Sequence, residues 1–327
     1  MNPQTQPGRR APWTPARTVA AVGAAAIGVP PALGTLLGSL GKAGWMLDLF
    51  SHWRVQYCLL LGASTVLMLA ARRWRLAVLP AALAALNLAA VAPAYWGGED
   101  HTAHGRTYRL VAANIHSLNT QTAKVRDLLE REDPDVAILT EFTPRWMNEL
   151  RDLDAKYPVH LLLPHEDNFG MAVYSRLPLA AWQSLEAFDP DLRGVSATFS
   201  PDGRPLALLA VHAAPPLGGW ASRLRNRKFR QLADLAAGTQ GPLLLAGDLN
   251  TSPWSPFFRD LLRAGGLRDS RRGFGIQATW PAARWLMRIP LDHCLVSAGI
   301  RIVGRRVGPD IGSDHLPIIV DFALPGG

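Results

Sequence analysis

Gly247-Asp248-Leu249-Asn250 and Gly312-Ser313-Asp314-His315 each set a carboxylate beside a second polar side chain, and each adjoins an apolar run. Leu243-Leu244-Leu245-Ala246 leads into the first, and Leu316-Pro317-Ile318-Ile319-Val320 leaves the second. Such runs read as buried strands. An Asp at the end of a buried strand needs a partner, because an unpaired charge is costly to bury. A metal ion or a phosphate group supplies one, which points to hydrolysis of a phosphate ester.

Other strand ends repeat the pattern. Asn114 follows Arg109–Ala113, Glu141 follows Val136–Thr140, His212 follows Leu206–Val211, and Asp292 sits in the strand near Leu291. In layered α/β folds, ligands gather at such positions. A hard cation, Mg2+ or Mn2+, takes oxygen ligands and keeps several waters. Glu141 is the natural first ligand, with Asn114 and Asp314 as secondary ones. Cleaving a phosphodiester also needs a water, an activator for it, and donors for developing charge. His315 beside Asp292 forms a His–carboxylate pair in which the Asp orients the imidazole and stabilises its charged form. Asp248 positions the water; Asn250 and His212 donate to phosphate oxygens. Taken singly, these residues have plainer roles. Asn114 suits a turn, Glu141 a helix N-terminus before Pro144, His212 a structural contact, and Gly-Asp-Leu-Asn an Asx turn. Their joint placement on successive strand ends favours a site.

The elements that must hold them alternate. Strand signals fall at 108–113, 136–140, 171–174, 195–199, 206–211, 243–246, 291–297, 301–307 and 316–322. Helical spacing falls at 122–132, 222–237 and 256–264. Many strands and few helices predict stacked sheets covered by helices, not one doubly wound sheet. No internal repeat or low-complexity tract is present. Cys58 and Cys294 imply no disulfide framework, and no Cys/His cluster has zinc spacing.

Residues 18–96 differ in kind. They hold six charged side chains, Lys42, Asp48, Arg54, Arg72, Arg73 and Arg75. Apolar stretches run from Thr18 to Leu40 with Pro30-Pro31 as a kink, from Tyr57 to Ala71, and from Leu76 to Trp96. A bilayer crossing takes about 20 apolar residues. The second stretch reaches that only if Trp53–Gln56 are counted in. Soluble core helices would be amphipathic, and these are apolar on every face. A cleaved signal peptide is the alternative for the first stretch; its length favours a retained anchor. The net charge of +8 is uneven, because residues 1–100 carry eight Lys/Arg against three acids. That excess flanks the apolar stretches, so it bears on membrane orientation more than on DNA. Arg9, Arg10 and Arg17 precede the first stretch, and Arg72, Arg73 and Arg75 lie between the second and third. Positive flanks stay in the cytoplasm, so three crossings put the remainder outside. The expected organisation is a cytoplasmic basic tail at 1–17, a three-helix membrane anchor at 18–96, a linker at 97–107 and a catalytic domain at 108–327.

The motifs Leu110-Val111-Ala112-Ala113-Asn114, Asp135–Glu141, Val211-His212, Gly247–Asn250, Leu291-Asp292-His293 and Gly312–His315 resemble, in order, those of the endonuclease/exonuclease/phosphatase superfamily with the DNase I-like fold. The resemblance covers residues 108–322. It implies a four-layer sandwich of two mixed β-sheets flanked by helices, here preceded by three transmembrane helices. It also implies divalent-metal phosphoester hydrolysis. Thr140 stands where the family usually has Gln, which changes a neighbour of Glu141 and not the ligand. Three spans ahead of such a domain resemble a bacterial membrane-anchored branch, some of whose members are described as glycopeptide-resistance proteins. The expected place is therefore the bacterial cell membrane, with the catalytic domain extracytoplasmic and the lipid bilayer as partner.

Three functions stay open. One is hydrolysis of a lipid-linked phosphate or pyrophosphate, or a phospholipid head group, which an anchored site meets at high effective concentration. A second is cleavage of extracellular nucleic acid, with Arg223, Arg225, Arg227, Lys228 and Arg230 as a phosphate-binding stripe or simply a solvated helix face. The third is an inactive membrane receptor, which retention of every polar site residue argues against. Trp280 and Arg284, ahead of Asp292, are candidate substrate contacts that stack on bases or reach head groups.

Overall fold

The computed structural model describes residues 15–96 and 106–325. The N-terminal residues through 14 and nearly all of the expected linker fall outside them. The first four helices are α1 (Pro15–Ser39), α2 (Trp45–Leu49), α3 (Arg54–Ala70) and α4 (Trp74–Val91). The described residues divide into two compact units, 15–36 with 54–89, and 37–53 with 90–325. The expected anchor is therefore not one unit: residues 37–53, between the first two apolar stretches, belong with the residues that carry the site.

In the first unit α1, α3 and α4 are rich in Ala and Leu, which favour helix. α1 stays helical through Pro30-Pro31. Large apolar side chains face outward, with Val19 72% and Leu79 63% exposed. Helices apolar all round and uncovered by protein suit a membrane. Small residues and interhelical hydrogen bonds hold them together, as in membrane bundles. Ser64 donates to the Ala24 carbonyl at 2.8 Å, and Asn87 Nδ2 donates to Thr35 Oγ1 at 2.8 Å. Three helices, Pro15–Ser39, Trp45–Ala70 and Trp74–Ala94, are long and apolar enough to cross a membrane. In the middle one, Trp45–Trp53 belongs to the other unit. That leaves the 17 residues of α3, about 26 Å of helix.

The second unit is a sandwich of two six-stranded sheets. Its elements run β1 (Thr107–Asn114), α5 (Thr122–Glu132), β2 (Val136–Thr140), α6 (Pro144–Glu149), β3 (Val159–Leu163), β4 (Met171–Ser175), β5 (Leu179–Ser184), β6 (Gly194–Phe199), β7 (Leu206–His212), α7 (Gly219–Gly238), β8 (Leu243–Asp248), α8 (Pro256–Ala264), β9 (Arg268–Asp269), β10 (Asp292–Val296), β11 (Arg301–Val307) and β12 (Ile318–Ala323). The strand orders are β11-β12-β1-β2-β4-β3 and β5-β6-β7-β8-β10-β9. Within each sheet one central pair is parallel, β1 with β2 and β7 with β8. The helices α5 and α7 are the crossovers such pairs require.

Period-two alternation assigns each strand residue to a layer. Leu110, Ala112, Leu208, Ala210, Leu244, Ala246, Cys294 and Val296 meet between the sheets. Val111, Ala113, Leu139 and Ile319 face outward under Leu128 of α5 and Trp146 of α6. Leu209, Val211, Leu243, Leu245 and Leu295 face outward under Phe229 and Leu232 of α7 and Phe258 of α8. Helices, sheet, sheet and helices make the four layers. Both parallel pairs end on the same edge, where Asn114 lies beside Thr140 and His212 beside Asp248. The carboxyl ends of parallel strands are where open α/β sheets bind ligands.

Residues 37–53 are built into this unit. The Asp48 carboxylate lies 2.7 Å from Arg225 Nη2, with both side chains fully buried, and accepts from Ser255 Oγ at 2.8 Å. His52 Nδ1 accepts from the Ser252 hydroxyl at 2.8 Å and the Ser252 N–H at 3.2 Å.

Candidate active site

The two sheets deliver their polar strand ends to one place. Asn114 Nδ2 donates to Glu141 Oε1 at 3.0 Å and to Asp248 Oδ2 at 3.1 Å, bridging one sheet to the other. Asn114 Oδ1 accepts the His116 N–H at 3.0 Å, which fixes the amide's orientation. Asn114 thus turns donors, not its oxygen, toward the carboxylates. Glu141 follows β2 with φ at 61°, a left-handed conformation uncommon for a side-chain-bearing residue and typical of functional sites. Its Oε2 accepts the Ser117 N–H at 2.9 Å.

Asp248 ends β8, where Gly247 at φ 135° lets the chain pass against β7. Asp248 Oδ1 accepts the Asn250 N–H at 2.8 Å. Oδ2 faces His212 Nε2 at 3.5 Å and His315 Nε2 at 3.7 Å. Burial is the largest single influence on Asp248 and opposes its charge. The His315 imidazolium and the hydrogen bond from His212 outweigh burial, holding the carboxyl well below the usual carboxylate range. Asn250, also left-handed at φ 47°, donates to the Ala213 carbonyl at 2.9 Å and lies 3.4 Å from His212 Nε2.

His315 Nδ1 lies 2.9 Å from Asp292 Oδ2. Burial disfavours its charge, but Asp292 and Asp248 on either side more than offset that and raise its pKa well above the ordinary imidazole range. Burial also pushes Asp292 up, and the Asp248 charge adds to this. The proton between them is best held on His315, where two carboxylates converge. The Asp292 N–H is fixed by Thr279 Oγ1 at 3.3 Å. Asp314 is exposed at the rim and accepts from Trp280 Nε1 at 3.0 Å.

Glu141, His212, Asp248, Asn250, Asp314, His315 and Trp280 line one cavity of about 550 Å³. Asn114 and Asp292 reach the same cluster from behind. Arg284 is exposed on the loop that follows Trp280 and is not among the lining residues. The expected basic stripe is split. Arg225 and Lys228 are buried, while Arg223, Arg227 and Arg230 point outward. Sequence reasoning missed Leu49, His52, Trp53, Phe169 and Leu217, which also line the cavity. The ring of Phe169 lies 5.4 Å from that of His212. Their signal was weak: apolar residues in loops, or in a stretch that reads as membrane flank.

Asp248, Asp292 and His315 bring one possible ligand atom each within 4.8 Å of one another. Flanked by two carboxylates, the His315 imidazole is favoured in its protonated form, which makes it a hydrogen-bond donor. The oxygen-donor chemistry of a hard cation fits Glu141 better.

A carboxylate, a charged imidazole and amide donors converging at the carboxyl ends of two packed sheets define a hydrolase of phosphate esters. The profile of the endonuclease/exonuclease/phosphatase family matches residues 111–315. The chain belongs to that family. Solved structures share the fold. One is an endonuclease/exonuclease/phosphatase from Beutenbergia cavernae, 21% identical, TM-score 0.51, covering 68% of this chain and 72% of that one. D. rerio TDP2 complexed with a single-strand DNA product is 16% identical, TM-score 0.55, with coverage of 67% and 100%. The 3' phosphatase NExo from Neisseria, bound to a product DNA hairpin, is 20% identical, TM-score 0.52, with coverage of 66% and 99%. No curated protein sequence matches the chain.

Proposed function

We propose that this chain is a membrane-anchored, Mg2+- or Mn2+-dependent phosphoesterase. It acts outside the cytoplasmic membrane on a lipid-linked phosphate or pyrophosphate, or on a phospholipid head group. One observation carries the substrate class: the cavity at the carboxylate–imidazole cluster has apolar walls and, among the described residues, no Lys or Arg lines it. Proteins that hold nucleic acid neutralise its phosphates with Lys and Arg.

Glu141 would hold the cation, with Asp314 at the rim as a second oxygen donor and Asn114 keeping Glu141 in place. When bound, the metal supplies charge stabilisation to the phosphoryl oxygens. Asp248, kept ionised by its neighbours, accepts a proton from the attacking water and orients it. His315, held as an imidazolium by Asp292, donates to the phosphoryl group or to the leaving oxygen. His212 and Asn250 add donors for the charge that develops. Preorganised donors of this kind are worth several kcal/mol of barrier.

Charge supports the orientation. The arginines Arg72, Arg73 and Arg75 flank the turn between α3 and α4, where cytoplasmic charge is expected. Residues 37–53 pack with those after 90, which fits two crossings, α3 and α4, between them and holds for either orientation.

A panel assay on the full chain in detergent tests the reading. Release of phosphate or head group from isoprenoid pyrophosphate or phospholipid, with plasmid DNA left intact, is expected. Rapid, salt-sensitive DNA cleavage with no lipid turnover would favour the nuclease reading, which the DNA-bound structures of fold relatives keep as the second choice. A phosphatase-reporter fusion at Gly327 active only in the cytoplasm would overturn the orientation.

A further inference from the structure

The segment between the first two membrane helices does more than connect them. Leu49, His52 and Trp53 line the same cavity as Glu141, Asp248 and His315. We propose that this segment is the specificity wall of the substrate site and that it grips the hydrocarbon adjoining the phosphate of a lipid substrate. The inference rests on the lipid-phosphate reading above and deepens it.

Three features support it. First, the wall is fixed. The buried Asp48–Arg225 pair at 2.7 Å, the Ser255 hydroxyl on Asp48 and the Ser252 contacts on His52 fasten it at the C-terminal end of α2 and in the turn that follows. A group held this firmly can discriminate between ligands, whereas a loose one would cost entropy on binding.

Second, the cavity combines two chemistries. Glu141, Asp248 and His315 line it together with the apolar side chains Leu49, Trp53, Ile289 and Leu291. About 550 Å³ is far more than a phosphate group fills and suits a ligand that buries apolar surface. Within the wall, both Ser252 donors point at His52 Nδ1, so the proton lies on Nε2, and that N–H has no partner among the described residues.

Third, the apolar surface continues outward. Leu217 lines the cavity and is 70% exposed. Trp280 and Ile289, both lining residues, pair across the base of a loop. That loop carries Trp285, Leu286 and Met287 exposed. Exposed aromatic and aliphatic side chains beside a cavity mark an interaction site, and such groups favour the membrane interface. Trp53 itself is followed directly by α3 in sequence. A tail leaving the cavity along Leu49 and Trp53 has apolar surface to follow, and among the described residues no Lys or Arg lines the cavity to hold the further phosphates of a polyanion.

The test compares the full chain with its Trp53→Ala, Leu49→Ser and Leu217→Ser variants in detergent micelles. The substrates are a long-chain isoprenoid pyrophosphate, dipalmitoyl phosphatidic acid, and methyl p-nitrophenyl phosphate as a tail-less ester. The readout is the ratio of kcat/KM for each lipid to that for the tail-less ester. The expected result is a fall in that ratio of about tenfold or more in each variant, the loss that missing apolar contacts give. It should be carried by KM. Leu49→Ser keeps the test of the segment decisive if Trp53→Ala fails to fold, since Leu49 is only partly buried; Leu217→Ser, at a mostly exposed position, reads the outward continuation of the apolar surface. An unchanged ratio in well-folded variants overturns the wall, while the native enzyme's lipid turnover still stands. A native enzyme that cleaves the tail-less ester and DNA but neither lipid overturns the lipid reading itself, and the wall with it.

Discussion

Asp48 and Arg225 stand 177 positions apart and form an ion pair at 2.7 Å with neither side chain exposed. The pair joins the segment between α1 and α3 to α7. Removing one member leaves the other charged and unsolvated.

Asp48→Ala is therefore expected to destabilise the second unit by about 3–5 kcal/mol, the cost of breaking a buried pair. Asp48→Leu with Arg225→Met, which removes both charges, should recover most of that loss. Thermal unfolding of the purified full chain measures both. A single variant as stable as the native protein would show that the pair is not closed in solution.

The pH profile of turnover follows from His315. Its folded pKa is raised, so the imidazolium persists above the free-histidine value and is lost only as pH rises through the folded value. Activity that needs the imidazolium should hold through mildly alkaline pH. Asp292→Asn removes one of the two carboxylates that sustain it, and the alkaline limb should move toward neutral by about one unit or more. An unmoved limb would detach that limb from His315.

Stability should fall on the acid side for a different histidine. His293 lies in β10 with its ring against Phe258 and Nε2 2.8 Å from the Thr251 carbonyl. Burial lowers its pKa to about 4. Between about 6.5 and 4 the unfolded chain binds a proton that the folded one refuses, so stability decreases as pH drops through that window. A few kcal/mol are at stake. His293→Asn should be less stable at neutral pH but flatter across the window. Denaturant melts at several pH values that showed the same slope for both proteins would remove this assignment.

Gly247 tests the strand geometry that presents Asp248. A Cβ there would lie 2.0 Å from the Val211 carbonyl oxygen, and φ is 135°. Gly247→Ala should cost more than about 3 kcal/mol and abolish turnover together with folding. A soluble, fully active Ala variant would mean that β7 and β8 pair differently.

How much of this was legible in the chain depended on burial. α5 at Thr122–Glu132 and α8 at Pro256–Ala264 emerge from helical spacing, the second with Ser255 capping Phe257. The central strands are legible because their apolar runs are fully buried. β5 was not, since four of its six residues are exposed and no alternation marks an outer strand. In the site, Glu141, His212, Asp248 and His315 were legible as polar residues abutting apolar runs. The direction of the Asn114 amide was not, because the carboxylates it donates to, Glu141 and Asp248, come from the ends of other strands far along the chain. The basic run on α7 misled: Arg225 and Lys228 look like their neighbours in sequence, yet they face inward. Asp48 read as an incidental loop charge because its partner lies far along the chain.

Glu141, just after β2, and His315, just before β12 of the same sheet and paired with Asp292 of the other, should serve a single metal-dependent phosphoesterase centre. The most direct measurement is kcat/KM on methyl p-nitrophenyl phosphate for the native chain, Glu141→Gln and His315→Gln, with Mg2+ present and after chelation. The native enzyme should depend on the added cation, and each variant should lose about a hundredfold or more. Native-level, cation-dependent turnover by either well-folded variant would contradict it.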